Sequence, residues 1–290
     1  MKIRPLLSLC FILTILNYAF LSPADAINPK TDSDPKEIAV ERKPEIKPSE
    51  SSKKLAQLIA AAIVEKSYSL IDSFVIGITA TYSVKLDGKS IGDVKFLFSD
   101  KHPEERIIFQ NTFPEESREV FYDALFAIHT LFLVDDLELS EPNANAIKLK
   151  QGYLMEVIDP KNPDRAAFSA WISGNFDVVK KEIVKDMPGK EGNEEFVATY
   201  ILTEYFERGN IGDKRIVRKM VRFVGVKEKK RTRYDYKFEY CEQKDAVFFK
   251  SIEISAKIPE PEQNKYKTLV LSLKLKNVIF EREAGLGEIE

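Results

Sequence analysis

The sequence predicts an α+β fold: one long, strongly curved antiparallel sheet with two helices packed against it. Three observations predict it. Apolar residues at helical spacing are confined to two stretches, near 53–72 and 114–132. Period-two alternation dominates the remainder, from residue 78 to residue 281. Turn clusters such as Asp87-Gly88, Ser173-Gly174-Asn175 and 187–193 punctuate the alternating runs, as hairpins require.

The chain opens with Lys2 and Arg4, runs apolar from Leu6 through Leu21, and reaches Ala24-Asp25-Ala26. A basic start, a short apolar run and an A-x-A site predict a cleavable secretion signal over 1–26. The apolar run is short for a bilayer span of about 20 residues. Cys10 sits inside that run, followed by Phe11, Ile12 and Leu13, which argues against lipidation there. Cleavage after Ala26 places the mature protein in the periplasm or outside the cell. No later stretch approaches a membrane span. Residues 27–52 carry Pro29, Pro35, Pro44 and Pro48 among dense charge of both signs. Such a segment buries too little to offset its ordering entropy, so it reads as a disordered linker.

The folded domain is expected over 53–282, followed by a short tail, 283–290. Its first helix is capped by Ser51 or Ser52, buries Leu55, Leu58, Ile59, Ala62 and Ile63, and ends near Leu70-Ile71-Asp72. The pattern then switches to period two. Ile78, Ala80, Tyr82, Val84 and Leu86 alternate with polar residues, and Val94, Phe96 and Phe98 follow the Asp87-Gly88 turn. This is the signature of a hairpin with one buried face. A third strand is expected over 106–110. The second helix starts at Pro114, with Glu115 and Glu116 at the positive end of its dipole and a stripe from Val120 to Phe132. Residues 135–147 read as a loop. Eight further strands are expected near 152–158, 166–173, 176–185, 195–206, 215–225, 231–240, 246–257 and 267–281.

Charge excludes little but points away from polyanions. The full chain has 44 Lys and Arg against 46 Asp and Glu. Losing Lys2, Arg4 and Asp25 with the signal leaves 42 against 45. That balance recruits no nucleic acid through bulk charge. Only Cys241 remains after cleavage, so no intramolecular disulfide is expected.

The inventory for catalysis is poor. His102 and His129 are the two histidines, and no short His or Cys ligand spacing suggests a metal site. No nucleophile elbow, phosphate loop or dinucleotide fingerprint appears. The sequence therefore predicts neither an enzyme nor a cofactor. The basic run 227–233 reads as a solvated hairpin loop, with an anionic-ligand patch extended by Lys214-Arg215 and Arg218-Lys219 as the alternative.

The informative feature is aromatic. Tyr234, Tyr236, Phe238 and Tyr240 share one face of a single strand, and Tyr82, Phe96 and Phe98 supply a second band. Such rings either pack a sheet face against helices or line a site for an amphipathic ligand, since Tyr combines an apolar body with a polar tip. These seven are the candidate site residues.

The order of elements resembles a family. An exported chain opens with a helix, continues through DSFVIGITATYSVKLDGKSIGDVKFLF, and later gives GYLMEVIDPKNPDRAAFSAWISGNFDVVKKEIVKD and KTLVLSLKLKNVIFE. These stretches resemble LolA/LppX-type outer-membrane lipoprotein-sorting proteins over roughly 53–282. The resemblance implies an unclosed half β-barrel covered by helices, an apolar space for acyl chains, an envelope location, no cofactor and no catalysis. The expected partner is a lipid or a lipidated protein. The second reading is an envelope interaction or stress-sensing protein of the same fold that binds a protein partner.

Overall fold

The computed structural model describes residues 46–98, 107–110, 122, 124–125, 127–128, 143–159, 162–188, 196–226, 231–243, 246–260 and 265–282. The signal segment, the first part of the linker, both histidines, the start of the second helix, 227–230 and the tail lie outside them.

Twelve strands form one antiparallel sheet, and it corrects the predicted fold class. The strands are β1 (Val75–Leu86), β2 (Lys89–Phe98), β3 (Ile107–Phe109), β4 (Asn145–Leu149), β5 (Gly152–Asp159) and β6 (Asn162–Ser173). They continue as β7 (Val178–Pro188), β8 (Phe196–Ile211), β9 (Lys214–Val226), β10 (Thr232–Gln243), β11 (Ala246–Glu260) and β12 (Lys265–Arg282). The order across the sheet is β3-β2-β1-β12-β11-β10-β9-β8-β7-β6-β5-β4, and the sheet does not close. Among the described residues strand predominates and α1 (Glu50–Lys66) is the helix whose bounds are described, so the fold is mostly β rather than α+β with two or more helices covering a sheet. The reason lies in the strand lengths. β8, β11 and β12 run 16, 15 and 18 residues, well past the usual five or six, and they absorb the chain expected to be loop.

Helix α1 starts earlier than expected. Ser49, not Ser51 or Ser52, is its cap: the Ser49 side chain accepts from the Ser52 N–H at 3.1 Å, and the Ser52 hydroxyl accepts from the Ser49 N–H at 2.9 Å. This reciprocal pair satisfies two amide donors that the first turn otherwise leaves open. The helix ends at Lys66 rather than near 70–72, and a separate 3-10 turn covers Leu70–Ser73. Its stripe also differs, since Leu58 is 69% exposed while Ala56, Ile59, Ala60 and Ile63 are buried. Tyr122, Ala124, Leu125, Ala127 and Ile128 are helical.

The first hairpin follows its sequence signal. Leu86 pairs with Lys89 across Asp87 (φ 47°) and Gly88 (φ 81°), the left-handed pair that a two-residue hairpin turn needs. The expected loop over 135–147 ends inside β4, where Asn145–Leu149 pairs with Gly152–Glu156. Gly152 has φ 148°, and a Cβ there would strike the Ile172 carbonyl, so this corner accepts only glycine.

Two apolar cores cover one face, called here the inner face. The first joins β1, β2, β9–β12, the 3-10 turn and Ala124, Leu125, Ala127 and Ile128. The second joins α1 to β4–β7. Tyr205 of β8 packs against both.

Candidate ligand-binding face

Five of the seven sequence-selected aromatics come together in the first core. Tyr82 and Phe96 are fully buried, and Tyr234, Tyr236 and Phe238 are no more than 5% exposed. Strand pairing explains the convergence. β1 joins β12 while β10 joins β11, so residues far apart in sequence meet through two intervening strands. Tyr82 meets Phe96 edge-on at 5.6 Å, and Tyr236 stacks on Phe238 at 5.9 Å. Phe249, which sequence reading had not selected, links Phe238 at 5.3 Å to Tyr240 at 5.0 Å.

Their hydroxyls are engaged. Tyr82 donates to the Phe249 carbonyl at 3.0 Å, Tyr236 to the Ala124 carbonyl at 3.3 Å, and Tyr240 to the Val217 carbonyl. Burial pushes the Tyr82 phenol well above its ordinary range, with Cys241 and Tyr240 adding to the rise. A ring facing an open cavity keeps accessible surface, and these five keep almost none. They are packed core, and a ligand could reach them only by displacing their neighbours. Tyr240 is half-buried. The backbone of Phe98 pairs with Ile78, but its side chain lies outside the described residues.

A different part of the inner face is less completely covered. Between the cores, Ile183 pairs with Ile201 and Ile201 with Val224, and all three are half-buried. One rung away, Lys181 pairs with Thr203 and Thr203 with Arg222. Lys181 and Arg222 are 7% and 8% exposed. The Lys181 Nζ lies 5.6 Å from the Tyr205 ring centre, and the Arg208 guanidinium lies 4.9 Å from the same ring. An Arg208 nitrogen donates to the Val178 carbonyl at 3.2 Å. On the opposite face, Lys219 pairs with Glu207 at 2.5 Å and holds that carboxyl below its ordinary range.

Sequence reading missed these cations. Lys181 and Lys185 flank Ile183, and Arg222 sits between Met220 and Val224. Each is a charge in the apolar phase of its strand.

The end of α1 is fastened to hairpins below these strands. Lys66 donates to the Asn175 carbonyl at 2.9 Å, Lys214 to the Glu65 carbonyl at 2.6 Å, and Arg215 pairs with Asp177. Among the described residues, no helix is long and apolar enough to cross a membrane. No family model, curated protein or solved structure matches this chain.

Proposed function

We propose that this protein is an exported, non-enzymatic carrier that holds an acyl chain against the inner face of its sheet. The observation that carries the reading is the half-buried strip of Ile183, Ile201 and Val224, whose Val224 end packs against the first core and whose Ile183 end packs against the second. Apolar surface left partly open in the middle of a sheet favours an apolar ligand, at about 25 cal/mol for each Å² covered. The unclosed sheet supports it, since free edges let the covering elements shift without breaking a barrel. The basic, apolar and A-x-A order of residues 1–26 supports export, and the resemblance to lipoprotein-sorting proteins supports an acylated cargo. The aromatic row then frames the site rather than lining it.

The full chain purified from cell envelopes should carry a lipid-sized adduct in native mass spectrometry. It should also bind a fluorescent long-chain fatty acid. Ile201→Glu should abolish probe binding, whereas Ile279→Glu, at an exposed position of β12, should not. Absence of both adduct and probe binding overturns the carrier.

One observation favours a protein-binding module instead: the aromatic row is filled rather than hollow. That reading predicts a protein adduct in envelope cross-linking and no lipid.

A further inference from the structure

We propose that the outer face, opposite the two cores, docks on an anionic bilayer surface through an apolar corner of Phe74, Ile76, Ile108 and Ile279 flanked by lysines. This goes beyond the carrier reading and is tested separately from it.

Three features converge. First, exposed apolar side chains collect at this corner. Among the described residues nine large apolar side chains are exposed, and these four lie on β1, β3, β12 or just before β1. The strand order β3-β2-β1-β12 makes those elements near neighbours. Ile279 pairs with Thr79, and Ile108 pairs with Lys95, which pairs with Thr81. Thr79 and Thr81 alternate with the buried Ile78 and Ala80, so their row looks away from the core. A bulge between Val75 and Gly77 adds Ile76 to the same strand end. Contiguous exposed apolar surface of this kind marks an interaction site, whereas scattered single residues do not.

Second, Phe74 is held outward. Its φ is 58° and its ring is 53% exposed, while Val75 beside it is fully buried. Bulky residues avoid that backbone region, and the ring gains no burial within the described fold in return. Insertion among lipid chains supplies it.

Third, the flank is basic. Lys95, Lys274 and Lys276 sit one or two rungs from the row of Ile279, each rung about 7 Å along the strands, and Lys85 follows on β1. The carboxylates among them are Asp93, which pairs with Lys276 at 2.5 Å, and Glu281 opposite Gly77. Four lysines against two carboxylates leave an excess of two positive charges, in a chain whose net charge is −2. That local excess fits anionic head groups. A second copy fits less well, since a two-fold contact would set this lysine-rich surface against itself.

The test uses protein purified from cell envelopes and two kinds of vesicle, phosphatidylcholine alone and equal parts of phosphatidylcholine and phosphatidylglycerol. The protein should float with the mixed vesicles, bind the neutral ones several-fold more weakly, and be released as salt screens the lysines. Phe74→Ser combined with Ile76→Ser should weaken binding to mixed vesicles at least about tenfold by withdrawing apolar area. Lys95→Gln and Lys274→Gln should each weaken it about fivefold and leave neutral vesicles unaffected. Leu58→Ser, at an exposed position of α1, should bind like the parent, and thermal unfolding of each variant checks the fold. Parental binding by the Phe74 and Ile76 double variant, or equal binding to both vesicles, overturns the docking corner. A dimer that this double variant dissociates, with no vesicle binding, also overturns it and assigns the corner to a second copy. Ile201→Glu should lose the fatty-acid probe and keep vesicle binding. A parent that binds vesicles but no fatty acid overturns the carrier and leaves the corner standing.

Discussion

The two ends of the inner face are built on opposite principles. From β4 to β7 the sheet presents small residues, Ala146 and Ala170, and α1 answers with Ala56 and Ala60 beside Ile59 and Ile63. Small side chains on both partners let the helix axis approach β4 closely. From β10 round to β2 the filling is aromatic, with Tyr82, Phe96, Tyr236, Phe238, Phe248 and Phe249 in one cluster. There the volume comes from rings, and the polar tips of Tyr82 and Tyr236 end on backbone carbonyls. The comparison teaches where tolerance lies. The aromatic end is sensitive to lost volume, the alanine end to added volume, and β8 between them meets both cores through Tyr205.

The largest effect is expected at the aromatic end. Phe238→Ala removes a ring in contact with Tyr236 and Phe249, and should cost about 3–5 kcal/mol in urea unfolding through lost transfer energy plus a void. A cost under about 1 kcal/mol would mean that this ring borders open space, and the two ends would then differ less than their packing implies. Next comes overfilling of the alanine end. Ala170→Leu, at a fully buried position of the second core, should cost about 1–3 kcal/mol. A neutral result would show that α1 can lift from the sheet.

The aromatic end also carries a pH dependence. The buried Tyr82 phenol ionises at a higher pH than it would in the unfolded chain. Its contribution is therefore complete below the unfolded value near 10 and is lost as pH rises from there toward the folded value. Unfolding midpoints should fall in that alkaline window. Tyr82→Phe should flatten the fall, and an unchanged alkaline slope in that variant would reject the assignment. The smallest effect sits at the start of α1. Ser49→Ala should cost about 1 kcal/mol by removing the capping box, and that loss should register in hydrogen exchange of α1 before it reaches the aromatic end.

Much of the sheet was legible in the sequence because alternation is local. Asp87-Gly88 located the first turn, and the run from Tyr234 to Tyr240 marked a strand with one buried face. The caps were less legible. Ser49, Ser51 and Ser52 all satisfy the composition of an N-cap, and only the backbone of Ser49, extended at φ −152° and ψ 162°, separates them. β4 was missed because five residues are too few to display a period, and its pairing with β5 defines it. Lys181 and Arg222 escaped notice for a related reason: each looks like an ordinary surface cation until its strand is given a face.

By itself, then, the sequence determined that the chain alternates, where most strands begin and end, and that the aromatics of 234–240 share a face. Those are properties of neighbours along the backbone, set by the two-residue period of a strand. Tertiary structure decided the rest. It placed β1 beside β12 rather than leaving it at an edge, turned the aromatic row into packed core, and brought Lys181 into line with Arg222 across β8. Each of these depends on which strands pair and in what register, and a one-residue slip in register would send every one of those side chains to the other face.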